Sequence, residues 1–223
     1  MLDWSPIILT LQLAFITTVI LLVISIPLAH WIANTKSRIK PLIEALVTLP
    51  LVLPPTVLGF YLLLAFSPES AIGSFLNDFF GLKLAFSFSG LVIGSIIYSL
   101  PFMVQPLQAG FASLPSSLSE ASFVLGKSKY QTITKVLIPN IKKSILTGIV
   151  LTFAHTVGEF GIVLMIGGNI PNQTKVVSIA IYDEVESLNY STAHVYSGIL
   201  LAVTFAILLL VYINNNRSNK FSK

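Results

Sequence analysis

Five long apolar segments constrain this chain more than any other feature of its sequence. They cover approximately residues 7–33, 45–66, 86–110, 144–166 and 195–213. A helix needs about 20 residues to cross the hydrocarbon core of a bilayer, so each segment is long enough. Only 10% of the residues are charged, against about 25% in a soluble domain. We therefore predict an all-α, multi-pass membrane protein, a single domain over residues 1–223, with about five transmembrane helices.

The basic residues indicate how these segments are oriented. If the N-terminus lies outside, eleven of the 13 Lys and Arg residues fall on the inner side. An excess of Lys and Arg is typical of cytoplasmic loops. We therefore predict that the N-terminus is outside, the C-terminus is inside and the interval 111–143 is cytoplasmic. The inner residues are Lys36, Arg38, Lys40, Lys127, Lys129, Lys135, Lys142, Lys143, Arg217, Lys220 and Lys223, and the outer residues are Lys83 and Lys175.

The interval 111–143 is the longest polar and basic stretch between the apolar segments. Ser117 and Glu120 have the spacing of a capping box, which predicts that a helix begins there. Gly126 is placed to end that helix, because glycine adopts the left-handed C-cap conformation at low cost. The interval therefore contains at least one short helix.

A second helix is predicted to begin near Ser128. Tyr130, Ile133 and Leu137 are spaced three and four residues apart and would share one face. Pro139 would end or bend this helix. A helical, basic loop favours a docking element for a cytoplasmic partner, and an amphipathic linker lying on lipid headgroups is the alternative.

Pro50, Pro54 and Pro55 interrupt the second apolar segment. Three prolines in one span cannot all keep helical hydrogen bonds. Irregular backbone is tolerated in a membrane only where protein or a water-filled path covers it. The segment therefore either lines a path or contains a kink packed against its neighbours.

The region around the third apolar segment carries two further signals. Residues 75–80 are predicted to form a short helix at the membrane interface, which either contacts a substrate-delivering protein or covers the surface. Gly90 and Gly94 have the GxxxG spacing that permits close helix packing. Ser95 and Ser99 add a polar stripe, which fits helix packing or contact with a substrate.

Glu159 is the one acid well inside an apolar segment, and His155 lies four residues earlier on the same predicted helical face. Ionisable groups inside a membrane are costly and usually face a protein interior or a cavity. Three roles are open: a metal ligand, a proton relay, or a structural carboxylate near a subunit interface or gate. The metal site is disfavoured because the chain has only three His residues and no dense ligand cluster.

Several of these residues resemble motifs of ABC importer permeases. Glu120-Ala121-Ser122, then Gly126 and Leu137-Ile138-Pro139, resembles the loop that docks on the ATPase in that family, with Ser122 in place of a second Ala. The sequence PLVLPPTVLGFYLL at 50–63, GEFG at 158–161 and GNIPNQT at 168–174 resemble the ModB-type molybdate permeases and the related sulfate permeases. Asn172 replaces the usual Gly, but Asn also tolerates turn conformations.

This resemblance implies a type I ABC importer permease fold with a cytoplasmic coupling helix. It also implies a homodimer, two ABC ATPase subunits on the cytoplasmic side and an extracytoplasmic oxyanion-binding protein. The implied coupling residues are Glu120, Ala121, Ser122, Leu125 and Gly126. No basic residue lies within a predicted span, so we expect hydroxyl groups and helix ends to guide a dianion. The candidate path or gate residues are Pro54, Pro55, Thr56, Ser95, Ser99, Thr152, Thr156 and Glu159.

The expected function is ATP-driven import of molybdate across the bacterial plasma membrane. Tungstate and sulfate are alternative substrates, and a proton-coupled transporter using His155 and Glu159 is an alternative mechanism. An intramembrane enzyme is disfavoured, because no Ser–His or paired-Asp arrangement within the predicted spans indicates a catalytic site. The chain has no Cys, which excludes disulfides and thiolate metal sites, and no P-loop, so ATP hydrolysis would occur on a partner. We expect no cofactor, no metal and no nucleic-acid partner.

Overall fold

The computed structural model describes the backbone of residues 2–220 and the side chains of residues 2–209, 212 and 213. Every regular element within residues 2–220 is helical. The elements are α1 Ser5–Asn34, α2 Lys40–Val52, α3 Pro55–Phe66, α4 Ala71–Phe80, α5 Phe88–Ala112, α6 Ser116–Val124, α7 Lys129–Thr132, a π-helix Ile133–Leu137, α8 Ile138–Asn140, α9 Lys142–Val157, α10 Gly161–Gly167, α11 Val177–Glu186 and α12 Tyr190–Lys220. Of the basic tail, Lys223 and the side chains of Arg217 and Lys220 lie outside the described residues.

Two long helices, α1 and α5, form the centre of the molecule. They contain 30 and 25 residues, pack along each other, and both contact α9. The buried hydroxyls of Thr10 and Thr18 donate to the carbonyls of Pro6 and Ala14, one turn earlier in α1. These local bonds satisfy the hydroxyl groups inside an apolar helix, so that α1 can be buried against its neighbours.

Two hydrophobic cores lie at opposite ends of the α1–α5 pair. The loop-end core contains Leu21, Ala29, Ile32, Val47, Met103, Val104, Leu107, Phe111, Leu137 and Ile141. The opposite-end core contains Leu13, Phe66, Leu84, Leu91, Ile162, Val163, Ile166, Val176 and Ile179. The turn at 35–39 and the interval 113–143 therefore share one end of the molecule, and residues 67–87 and 168–176 share the other.

The prediction of an all-α protein with about five spans is confirmed. Among the described residues, three helices are long and apolar enough to cross a membrane: Ser5–Asn34, Phe88–Ala112 and Tyr190–Leu209. Two bent pairs raise the number to five if each pair counts as one span: Lys40–Val52 with Pro55–Phe66, and Lys129–Asn140 with Lys142–Val157. The second pair begins within the predicted loop 111–143 and ends before the end of the predicted span 144–166. The side of the membrane that each terminus faces stays a prediction.

The second predicted span, 45–66, is broken where its prolines indicated. Helix α2 ends at Val52 and α3 begins at Pro55, and the two helices are bent by 112° relative to each other. Leu53 and Pro54 between them have ψ angles of 136° and 134°, outside the helical region. Pro55 stands in the first turn of α3, where its missing N–H would have no helical partner in any case.

The fourth predicted span, 144–166, is not one helix. Helix α9 ends at Val157 and α10 begins only at Gly161, with Phe160 at φ −128° and ψ −61° between them. The break allows α10 to pack closely on α3, where a Cβ added at Gly59 would lie 2.8 Å from Cβ of Met165. The apolar sequence hid this break because hydropathy does not distinguish one helix from two.

Candidate functional site

Helix α6 of the loop ends in a Schellman motif at Gly126. The Gly126 N–H donates to the Phe123 carbonyl (2.9 Å), and the Lys127 N–H donates to the Ser122 carbonyl (3.1 Å). Gly126 has φ +75°, in the left-handed region that favours glycine. The predicted C-cap is therefore confirmed.

The predicted capping box at Ser117 and Glu120 is wrong. Helix α6 begins at Ser116 with Pro115 as its N-cap, two residues before the predicted N-cap Ser117, and no side chain caps it. Ser117 consequently lies inside the first turn instead of at the cap position. A capping box occurs at the next helix, where Ser128 Oγ accepts from the Gln131 N–H (3.2 Å) and Gln131 Oε1 accepts from the Ser128 N–H (3.1 Å).

The second loop helix begins at Lys129, as predicted, but its faces differ from the prediction. Tyr130 is 76% exposed, whereas Leu137 is only 6% exposed. The π-helix after Thr132 shifts the side-chain period, so residues spaced for an α-helix separate onto different faces. The hydroxyl groups of Thr132 and Ser122 lie 2.9 Å apart and join α7 to α6.

Three consecutive apolar residues at the end of α6 are exposed, and we call them the tip patch: Phe123, Val124 and Leu125. Their exposed fractions are 47%, 88% and 77%. The expected coupling residues Glu120, Ala121 and Gly126 are exposed beside the patch, while Ser122 is buried. An exposed apolar patch with a polar rim is typical of a protein interaction site.

A polar seam of five side chains joins α5 to α9 and to the residue that follows α9: Ser95, Ser99, His155, Thr156 and Glu159. Ser95 Oγ donates to Glu159 Oε2 at 2.6 Å. Ser99 Oγ lies 2.9 Å from His155 Nδ1 and 3.0 Å from Thr156 Oγ1. The seam links α5 to both sides of the point where α9 ends.

Glu159 occupies the break between α9 and α10, and 4% of it is exposed. Its Oε1 atom is buried and has no hydrogen-bond partner among the described residues. Its backbone carbonyl accepts a 2.6 Å bond from Ser178 Oγ on α11. Glu159 therefore connects α5, the helix break and α11. Nothing in the sequence marked Ser178 for this role.

His155 and Glu159 do not share a helical face, because α9 ends at Val157. Each bonds to a different serine of α5, and the His155 ring stacks on Phe102 with centroids 3.9 Å apart. Within residues 2–209 no direct hydrogen bond joins the two groups. A proton relay between them consequently needs a further carrier that bridges the two serine contacts.

The structure divides the candidate path residues into two sets. Pro54 and Thr56 are exposed at the α2–α3 break, and Pro55 is half-buried against Gly161. The other set is covered by the chain's own packing and consists of Ser95, Ser99, Thr152, Thr156 and Glu159. The role of either set in a translocation path stays a prediction.

Side-chain hydrogen bonds and left-handed backbone shape the GNIPNQT loop, residues 168–174. Thr174 is fully buried, where its hydroxyl donates to the Gly167 carbonyl (2.6 Å) and accepts from the Ile170 N–H (3.0 Å). Asn169 and Asn172 adopt left-handed backbone with φ +55° and +61°. The expectation that Asn172 tolerates this turn in place of Gly is confirmed.

A network of charged and amide side chains fixes this loop to α11. Asn169 Nδ2 donates to both carboxylate oxygens of Asp183 (2.9 and 3.1 Å). Lys175 forms an ion pair with the same carboxylate. These contacts hold the loop on α11, at the end opposite to the tip patch.

Known proteins are similar to this chain in sequence and in fold. The chain is 48% identical to the molybdenum transport system permease protein ModB of Azotobacter vinelandii, over 94% of this chain and 93% of that protein. It is 34% identical to the sulfate transport system permease protein CysT of Synechocystis, over 77% of this chain and 60% of that protein.

Solved transporters show the same fold at low sequence identity. A bacterial ABC transporter that imports alginate matches with a TM-score of 0.78 and 20% identity, over 98% of this chain and 79% of that one. The methionine transporter MetNI matches with a TM-score of 0.71 and 16% identity, over 98% and 94%. These matches identify the fold as that of type I ABC importer permeases. Residues 22–217 match the family model described as the binding-protein-dependent transport system inner membrane component, and the chain belongs to that family.

Proposed function

We propose that this chain is the membrane-spanning subunit of an ATP-driven importer that moves molybdate into the cytoplasm. The observation that carries the proposal is the 48% identity to ModB over 94% of the chain. Sulfate and tungstate are the alternative substrates, because sulfate permeases are also related to this chain and all three anions are tetrahedral dianions.

The tip patch supports the proposed contact with an ATPase. It combines exposed apolar side chains with the exposed residues Glu120 and Gly126. The loop behind it is anchored in the loop-end core through Leu137 and Ile141. A displacement of the tip patch would therefore move α7, α8 and α9 together, because packed cores transmit strain instead of absorbing it.

The remaining parts of the proposed assembly follow from the same family membership. Two copies of the chain enclose the path, two ATPase subunits bind at the loop end, and an oxyanion-binding protein delivers substrate at the opposite end. Helix α12 is mostly exposed within one chain, since only 11% of its most apolar stretch is buried. This exposed surface supports the proposed contact with a second copy. In this assembly the polar seam holds α5 on the α9–α10 break, and its residues Ser95, Ser99, Thr156 and Glu159 line the proposed path or its gate.

Uptake by proteoliposomes tests the proposal. The chain is reconstituted with a candidate ABC ATPase and a candidate oxyanion-binding protein, and internal molybdenum is measured by mass spectrometry. We expect accumulation that requires ATP and the loaded binding protein, and an excess of tungstate or sulfate in the same assay identifies the anions that compete. Uptake driven by a proton gradient without ATP would contradict the proposal and favour a relay through His155 and Glu159.

A further inference from the structure

A groove of about 410 Å³ lies between the end of α3, helix α4 and residues 82–86. Binding sites for small ligands in proteins have volumes of about 300–1,000 Å³. The apolar part of the lining includes Leu63, Leu64, Phe66 and Leu84. The groove lies at the end of the molecule opposite to the tip patch and outside the polar seam, and the proposed function does not use it.

Two glycines allow the chain to fold back and form the groove. A Cβ at Gly73 would lie 2.0 Å from the Ser67 carbonyl oxygen, so only glycine lets α4 fold this closely onto the end of α3. Gly81 ends α4 with φ +63°, and Leu82 N–H donates to the Leu76 carbonyl at 3.2 Å. This turn leads residues 82–86 back along the other side of the groove.

The side chains of helix α4 are those expected of a helix at the surface of a bilayer. Phe75, Phe79 and Phe80 are 51%, 74% and 64% exposed, and the Phe75 ring contacts the other two. Asp78 and Ser74 occupy the polar side of the same helix. A short amphipathic helix with exposed aromatic side chains is typical of a segment lying in the membrane interface.

The lining continues from the surface of a bent span. Leu64 of α3 is 52% exposed and also lines the groove, so lipid that contacts α3 has direct access to it. Lys83 lines the same groove, is exposed, and has no ion pair or hydrogen bond among the described residues. By contrast, Lys175, the other basic residue at this end, is paired with Asp183.

From this combination we infer that the groove binds one acyl chain of an anionic phospholipid, with the lipid phosphate on the Lys83 ammonium group. The apolar lining receives the chain, and the one cation lies where the headgroup region begins. Asn77, which also lines the groove, provides an amide donor for the glycerol–phosphate region. The inference goes beyond the proposed function and does not depend on the substrate or on the ATPase.

Photo-crosslinking tests the site. The purified protein is placed in nanodiscs containing phosphatidylglycerol with a diazirine in its acyl chain, and labelled peptides are mapped after irradiation. We expect preferential labelling of residues 63–86. Leu64→Trp should fill the groove and abolish this labelling, whereas the control Leu201→Trp, on the 73% exposed Leu201 of α12, should not.

The headgroup contact has its own control. Lys83→Gln should lower labelling by phosphatidylglycerol about five-fold, because one lysine near a membrane contributes roughly that factor for anionic lipid. Lys129→Gln, which removes a lysine at the other end, should leave it unchanged. Labelling of 63–86 no stronger than that of α12, or labelling insensitive to either Leu64→Trp or Lys83→Gln, would overturn the inference.

Discussion

The hydrogen bond between Ser95 and Glu159 provides a quantitative test of the polar seam. Ser95 donates to Oε2 of Glu159 at 2.6 Å, and Oε1 has no partner among the described residues. Ser95→Ala therefore leaves both oxygens of a buried carboxyl group without a protein partner. A buried polar group left unsatisfied costs about 1–3 kcal/mol.

This cost converts into a measurable change in thermal stability. For chains of this size, 1 kcal/mol corresponds to about 2–4 °C in melting temperature, so Ser95→Ala should lower it by about 2–12 °C. The assay is thermal unfolding of the purified protein in detergent, followed by loss of the monodisperse peak in size-exclusion chromatography. Ser89→Ala is the matched control, because Ser89 lies on the same helix, is exposed and has no bond among the described residues. A surface change of this kind should stay within about 0.5 kcal/mol.

Glu159→Gln extends the test, because the amide oxygen can still accept from Ser95. Its loss of stability should therefore be smaller than that of Ser95→Ala. Equal melting temperatures for Ser95→Ala and Ser89→Ala would show that the bond to Glu159 does not hold the helix break to α5.

Three further predictions concern packing and the loop. Gly59→Leu should cost about 1–3 kcal/mol by overpacking, because a Cβ added at Gly59 would lie 2.8 Å from Cβ of Met165. Gly198→Leu, with nothing within 4 Å, should not lower the melting temperature. Gly126→Ala forces a left-handed backbone that costs about 1–2 kcal/mol, so hydrogen exchange in 116–132 should accelerate, and unchanged exchange would contradict the Schellman assignment. Ser122→Ala removes a buried bond to α7 worth about 0.5–1.5 kcal/mol, and exchange protection equal to the wild type would show that the bond contributes nothing.

The sequence predicted the helical class and the number of spans, because hydropathy reports burial in lipid directly. It also predicted the α2–α3 break, since Pro54 and Pro55 cannot continue a helix. It did not predict the break at Glu159, because Gly158 and Gly161 on either side are only a weak signal within an apolar segment. The break accompanies close packing of α10 on α3, a contact between distant parts of the chain that local sequence does not report.

The candidate site was predicted only where local sequence decides the structure. Gly126 follows from local backbone chemistry, and its C-cap was found where expected. The capping box was assigned to Ser117 instead of Ser128, because both serines have an acceptable residue three positions later, Glu120 and Gln131, and only the structure shows which helix begins at its serine. Ser178 was missed, because its contact with the Glu159 carbonyl joins residues 19 positions apart.

Binding of the ATPase to this chain, compared between Gly126→Asp and Gly81→Asp, is the experiment that decides whether the tip patch is the docking site. Both glycines follow a helix in left-handed backbone with nothing within 4 Å of an added Cβ, but only Gly126 adjoins the tip patch. We expect the ATPase to co-purify with the wild type and with Gly81→Asp, and we expect Gly126→Asp to lose this binding while remaining folded. Equal binding of the ATPase to both variants would show that the tip patch does not contact it.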